Sequence, residues 1–461
     1  MDASLTSIQP VRLNGWDYVL AFEEAQVNQG LRMAHAGPYT GPAVLRLPPG
    51  EQRVPLDTTA GTELHFVYGC PQLASRADDL SRCTLRIPLQ GAVVMARDGP
   101  HPLPEDTHLE VRAALACTRT NVVAGAGRPG LTRYEAYVDY QSPLAVYELL
   151  DGSWPQGRPV LASVLRQFMQ AHPRELFRFG AFDAPLEASE LMPRRIELSF
   201  IRDAGAAGRH GLLICASLSA DGPPVNNRLV FEKGILPADV PAAMWVGPGI
   251  VLDRLVRPML RDSLGSGHAD KPELVYDAAR GCIQLQKWFS LGEVEHHATH
   301  LSGLTIKAEN GTLKMSVQVH VDGGEDADFD ADATSAGHIA FDLTADHRAF
   351  AAASAVDTTS VDVHDRRSKL KRWAEWIVTL GFGKLIDDGI CSAIRNGVSG
   401  AVSGRLGGQM KQATAQIDAL AGRIPALEDL AAGGHLVYAH VGFTNEGAAY
   451  LGIARTALAG H

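Results

Sequence analysis

The segment Glu293-Val294-Glu295-His296-His297-Ala298-Thr299-His300 holds the residue types that bind transition metals. On a helix His296 and His300 would share a face four residues apart, and with Glu293 one turn earlier they could hold zinc. The order is not His-Glu-x-x-His, however, and the flanking sequence reads as strands, where residues four apart lie too far from each other for one ion. A solvent-facing loop is the better reading. A second candidate is the acidic run Asp322, Glu325, Asp326, Asp328, Asp330 and Asp332, since oxygen-rich loops bind calcium. It lacks the glycine and the closing glutamate that an EF-hand loop requires, and reads as a solvated hairpin tip. A third is the basic cluster Arg366, Arg367, Lys369, Lys371 and Arg372 ahead of Trp373 and Trp376, a pattern that can lay an amphipathic helix on an anionic membrane. Positive charge at a helix start opposes the helix dipole, and a charged turn leading into a core helix is the competing reading. No nucleophile elbow, phosphate-binding loop or dinucleotide fingerprint stands between a strand and a helix. The sequence therefore assigns no catalytic residue, no metal ligand and no cofactor, and the expectation is a protein that is not an enzyme.

The elements that carry these residues are mostly strands. Residues 63–68, 83–87, 108–117 and 133–140 alternate apolar and polar side chains, with turn residues between them. No long helical pattern separates them, so the strands must pair as antiparallel neighbours. Leu313, Met315, Val317, Val319 and Val321 alternate with Lys314, Ser316, Gln318 and His320, the mark of one face on a core and one in water. Asn310-Gly311 joins that strand to its predecessor as a hairpin turn, and residues 338–344 supply a further strand. Closing strands are expected at 436–443 and 448–454.

Two stretches break the alternation. Val160, Leu161, Val164, Leu165, Phe168 and Met169 recur at helical spacing before Pro173. Over residues 241–260, Pro248 suits a first helical turn, and Ile250, Val251, Leu255, Val256, Met259 and Leu260 form an apolar stripe opposite Asp253, Arg254, Arg257 and Arg261. Pro258 must kink or end that helix.

The chain has 461 residues, 46% of them hydrophobic and 20% charged, enough to bury a large core. Its net charge of −10 excludes a nucleic-acid partner bound through phosphate neutralisation. The six cysteines stand singly and read as buried free thiols. Met1-Asp2-Ala3-Ser4 shows no basic or apolar secretory leader, and no run reaches the roughly 18 apolar residues of a membrane-spanning helix. The expected location is the cytoplasm, with any release by a route other than the Sec pathway.

Near the amino terminus, Trp16, Tyr18, Leu20 and Phe22 fall on alternate positions of a strand, and Val27 and Leu31 on one side of a following helix. Asn14-Gly15-Trp16-Asp17 before an apolar strand, then Val27-Asn28 ahead of Leu31, resembles the opening of the clostridial neurotoxin-cluster accessory proteins, the forty-seven-kilodalton protein and its OrfX relatives. A turn and amphipathic run over 237–260 adds to the likeness. Membership of the tubular lipid-binding (TULIP) superfamily follows from it. The resemblance implies an elongated α+β fold in which curved antiparallel sheets wrap around long amphipathic helices, in two halves at 1–235 and 236–461. It also implies an accessory role beside a toxin cluster, with a protein partner; a transient membrane contact is the expectation from the basic cluster ahead of Trp373 and Trp376. Physically, a helix stripe over a concave sheet must be buried on side chains or on a ligand. The expected function is binding of lipid or another apolar ligand in that groove, with Met244, Val251, Leu255 and Met259 as the lining. The alternative is a structural or interaction module whose core is packed solid and holds no ligand.

Overall fold

The protein was analysed as a computed structural model. It describes residues 12–25, 27–28, 32, 50–75, 82–122, 131–150, 158–171, 178–185, 194–202, 210–223, 231, 234–237, 240–265, 268–294, 297–309, 311–322, 329–343, 350–365, 436–443 and 449–455. The chain divides into two compact units. One comprises residues 1–18, 244–412 and 437–454; the other comprises 19–243, 413–436 and 455–461.

In chain order, the first strands are β1 (Tyr18–Glu23), β2 (Glu51–Asp57), β3 (Thr62–Tyr68), β4 (Gln72–Ser75), β5 (Arg82–Ala96), β6 (Gly99–Pro102), β7 (His108–Val122), β8 (Leu131–Val138) and β9 (Val146–Leu150). Helix α1 (Arg158–Ala171) follows, then β10 (Arg178–Pro185), β11 (Arg195–Arg202), β12 (His210–Ser217) and β13 (Ala242–Val246). A π-helix (Gly249–Val256) runs directly into α2 (Arg257–Leu264). The remaining strands are β14 (Leu274–Asp277), β15 (Cys282–Leu285), β16 (Phe289–Val294), β17 (His297–Glu309), β18 (Thr312–Asp322), β19 (Phe329–Leu343), β20 (Phe350–Asp365), β21 (Leu436–Phe443) and β22 (Ala449–Arg455).

Antiparallel sheets dominate, as the alternation requires. A nine-stranded sheet has the order β10-β8-β7-β5-β3-β2, with β4 and β6 on β5 and β9 on β7. A seven-stranded sheet has the order β14-β15-β17-β18-β19-β20, with β16 on β17. A six-stranded sheet follows β11-β12-β1-β13-β22-β21. The long helices expected from the resemblance are not what the described residues contain, since α1 has 14 residues and the π-helix and α2 have eight each. Residues 366–435, which carry the Trp373/Trp376 run and the glycine-rich stretch after it, lie outside the described residues.

The Asn14-Gly15 pair starts β1 through its backbone. Asn14 (φ 50°) and Gly15 (φ 81°) both take the left-handed conformation, and Trp16 N–H donates to Leu13 O at 2.8 Å, a tight turn that asparagine and glycine tolerate. β1 is then buried on both faces, Val19 and Ala21 as fully as Tyr18 and Leu20. Val27 is fully buried. The Asn28 amide donates to Leu73 O and accepts from Leu73 N–H, both at 2.7 Å, imitating a strand partner for β4.

Bulges bend the long strands. Along β5 the buried apolar side chains are Cys83, Leu85, Ile87 and Leu89, then Ala92 and Val94; the switch of parity falls at Gly91 (φ 60°), where Gly91 and Ala92 together stand opposite Phe66 of β3. β17 does the same at Ser302, changing from Leu301 to Leu304, Ile306 and Ala308. An extra residue re-aims the apolar face and adds local bend and twist.

Candidate functional site

Of the expected lining residues, Val251 and Leu255 belong to the π-helix. Its approach is set by Gly247, whose N–H donates to Asp17 O at 2.7 Å. A Cβ there would lie 3.0 Å from Trp16 O and 3.2 Å from Asp17 O, so only glycine brings the backbones this close. Ile250 and Val251 N–H groups both donate to Gly247 O, at 3.0 and 3.1 Å. Further on, Arg257 N–H reaches back five residues to Leu252 O. Pro258 gives the widened coil a reason: it has no N–H to donate, and its ring would crowd the Arg254 carbonyl of a continuous α-helix. The disruption expected from Pro258 therefore appears as a change of helix type one residue before it.

This helical stretch packs on β14 and β15. Ile250, Val251, Leu252, Val256, Leu260 and Leu264 are buried, and so are Leu274 and Ile283 on the strands. The polar side carries Asp253, which accepts from Arg257 Nε at 2.7 Å. Burial raises the Tyr276 hydroxyl above the ordinary tyrosine range, and the nearby Asp253 carboxylate adds to the rise.

Met244 lies in β13 rather than on the helix, because Ala242–Val246 is buried throughout and its apolar run is that of a central strand. Val251 is buried on the π-helix. Leu255 and Met259 belong to the π-helix and α2, and their side chains lie outside the described residues.

A second helix-on-sheet seam was legible as a helix but was not assigned a role. α1 packs on β9 and β2, burying Leu161, Leu165 and Met169 while leaving Val160 exposed. Beneath it, the Tyr68 hydroxyl donates to Met169 Sδ at 3.1 Å and the Tyr147 hydroxyl to Tyr140 O at 2.5 Å. Gln141 Nε2 donates to Gln170 O, and Arg166 Nη2 to Pro143 O, both at 3.2 Å. The Arg166 guanidinium also sits 5.9 Å from the centre of the Tyr147 ring. Burial pushes the Tyr68 and Tyr147 hydroxyls above the usual tyrosine range. The signal for this seam in the sequence was Phe66 and Tyr68 on one face of a strand, together with the helical stripe over 160–169.

The chemistry-bearing motifs fall elsewhere. β16 and β17 form a hairpin with Val294 opposite His297, so no helix joins His296 to His300; Glu295 and His296 themselves lie outside the described residues. Among the described residues no group of three or more His, Cys, Asp or Glu is placed to hold a metal. The acidic run is a hairpin in which Asp322 pairs with Asp330, and residues 323–328 lie outside the described residues. Cys70, Cys83, Cys117, Cys215 and Cys282 are free thiols, Cys83 and Cys215 fully buried, and burial pushes Cys83 up to about 12. No described helix is long and apolar enough to cross a membrane.

Solved structures share this arrangement of strands and helices. P47 of Clostridium botulinum E1 aligns at a TM-score of 0.59 and 9% identity, over 96% of this chain and 99% of that one. P47 from Clostridium botulinum A2 aligns at a TM-score of 0.57 and 12% identity, over 84% of this chain and 90% of that one. The chain has the P47 fold. A lipopolysaccharide binding protein also aligns, over 96% of this chain at 9% identity, but its TM-score of 0.22 does not establish a common fold. No protein-family model matches the chain, and no curated protein matches its sequence. The likeness to the P47 structures bears out the resemblance of residues 14–31 and the antiparallel architecture, and it concerns fold alone.

Proposed function

We propose that this chain binds a lipid or another apolar molecule between its π-helix and the seven-stranded sheet, and that it does so without catalysing a reaction. The observation that carries the reading is the eight-residue π-helix itself. π-geometry is rare, occurs mostly as single turns, and is frequent at functional sites. Here it runs along the apolar seam that holds Val251 and Leu252, a place where a change of helix register would change the room beneath. Met244 and Val251 are the proposed lining, with Leu255 and Met259 as further contacts. The P47 fold and the resemblance of the amino-terminal stretch support the same reading. In it, the halves 1–235 and 236–461 each provide a helix-on-sheet unit of the tubular lipid-binding type, and the protein acts as an accessory factor that meets a protein partner and, transiently, a membrane surface.

Native mass spectrometry of the purified full chain, with solvent extraction and lipid analysis, tests this. The expected result is an apolar adduct that Val251→Trp, which fills the seam, removes while the circular dichroism spectrum is kept. Absence of any adduct, together with no uptake of added oleate, would contradict it and favour the second reading, a packed core whose function lies on the surface. That reading is supported by Ile283, Ile306 and Val317, each 0% exposed on the strands of the sheet.

A further inference from the structure

Trp288 is 61% exposed, whereas Trp16 and Trp245 are buried. It precedes β16 and lies over the polar face of the seven-stranded sheet, the face opposite to Leu301, Val317 and Val319. Its ring centre is 5.0 Å from that of His320 and 6.0 Å from that of His300, with interplanar angles of 40° and 34°. The two histidines are direct cross-strand partners on β17 and β18. His320 Nδ1 in turn bonds Asp332 Oδ1 at 2.9 Å, on the next strand over. The indole thus leans at a tilt over two imidazoles, one of them held by a carboxylate, and remains 61% exposed. Gln318, two residues before His320 on β18 and exposed on the same face, lays its amide over Gly303: a Cβ on Gly303 would sit 2.6 Å from Gln318 Oε1. The arrangement is an exposed aromatic plate over two imidazoles and a carboxylate, with an exposed amide on the same face of the sheet.

We propose that this plate is a glycan-binding site that stacks the C–H face of one neutral pyranose ring on the indole of Trp288, with Gln318, His300 and Asp332 meeting its hydroxyls. An aromatic face takes a flat, weakly apolar ring without hydrogen-bond loss, and the flanking groups supply the few placed polar contacts that give orientation. Other stacking ligands fit less well. A nucleotide would bring phosphate toward Asp332 and Asp322 on a chain of net charge −10. A membrane anchor would need the indole to stand out of the surface among apolar neighbours, whereas Trp288 leans on the sheet and the exposed Gln286, Lys287 and Ser290 around it are polar. A neutral, hydroxyl-rich ring meets neither obstacle. The site lies on the face away from the apolar seam, and it stands whether or not the seam holds lipid.

Saturation-transfer NMR of the full chain with the methyl glycosides of glucose, galactose, mannose and N-acetylglucosamine, at millimolar concentration, tests the site. At least one sugar is expected to receive saturation at the C–H protons of one ring face. Trp288→Ala is expected to weaken that binding at least about tenfold, and Gln318→Ala about two- to fivefold, a loss of about 0.4–1 kcal/mol. Both positions are exposed, and an unchanged circular dichroism spectrum confirms that each variant folds. No saturation of any of the four sugars, or equal saturation of wild type and Trp288→Ala, would overturn the proposal. So would Trp288-dependent co-sedimentation with phosphatidylcholine or phosphatidylglycerol vesicles in the absence of sugar binding, which would assign the plate to a membrane.

Discussion

α1 on β9 and β2, and the π-helix with α2 on β14 and β15, are two solutions to one problem, an apolar helix stripe that must be covered by a sheet. The first is regular and tied down. Its α-helix is uninterrupted, and Tyr68, Gln141 and Arg166 each make a polar link between helix and sheet or loop. The second has an irregular backbone, with Gly247 and Pro258 bracketing a stretch whose hydrogen bonds change partner; Arg257 pairs with Asp253 inside the helix, and Lys271 Nζ reaches Asp262 of α2 at 2.6 Å from the chain just beyond it. The difference teaches that similar burial can be reached under a regular helix and under one whose hydrogen-bond pattern changes along its length.

The sharpest way to break this contrast is to empty each seam in turn. Leu165→Ala, in a fully buried and cross-linked position, is expected to cost about 2–5 kcal/mol. Leu252→Ala, equally buried, is expected to cost about 2 kcal/mol, the lower end of the same range, because the penalty falls when a site can collapse. Urea unfolding of both variants measures the ratio, and equal losses would remove the distinction.

Alkali probes the first seam next. The protonated hydroxyls of Tyr68 and Tyr147 are favoured in the folded state, since burial raises both. That stability is whole below about pH 10, where an exposed tyrosine ionises, and is lost as pH rises from there through the folded-state values. The melting temperature is expected to fall above about pH 10, and to fall less steeply in a Tyr68→Phe/Tyr147→Phe variant. An unchanged slope would mean that these hydroxyls are accessible.

Pro258→Ala restores a backbone donor and is expected to convert π-geometry toward a continuous α-helix, raising the far-ultraviolet helical signal slightly and lowering uptake of oleate without lowering the melting temperature. The smallest effect is expected for Asp253→Asn, which weakens a half-exposed pair four residues apart by about 0.3–0.5 kcal/mol. A loss much beyond that would show Asp253 to be a support of the helix rather than a solubilising residue on it.

Much of the fold was readable because antiparallel sheets alternate. The run Leu313 to Val321 predicted β18 and its buried face, and Asn310-Gly311 predicted the turn that sets Glu309 opposite Thr312. Asn14-Gly15-Trp16 marked the entry to β1. The readable part ended where alternation and helical period coincide. Ala242–Val246 is apolar at every position, a pattern that a buried strand and a buried helix share, so Met244 was placed on a helix that begins only after Pro248. The parity switches at Gly91 and Ser302 depend on register with a neighbouring strand, which a single sequence does not display. The Trp288 plate was invisible for the same reason: His300 and His320 become neighbours only through pairing of β17 with β18.

The most direct test of the central claim is photo-crosslinking with a diazirine-bearing fatty acid, read by peptide mass spectrometry and competed with unlabelled oleate. The account predicts competable label on the peptides containing residues 244–260, and none on the α1 peptide. Label on α1 instead, or label that oleate does not displace, would contradict it.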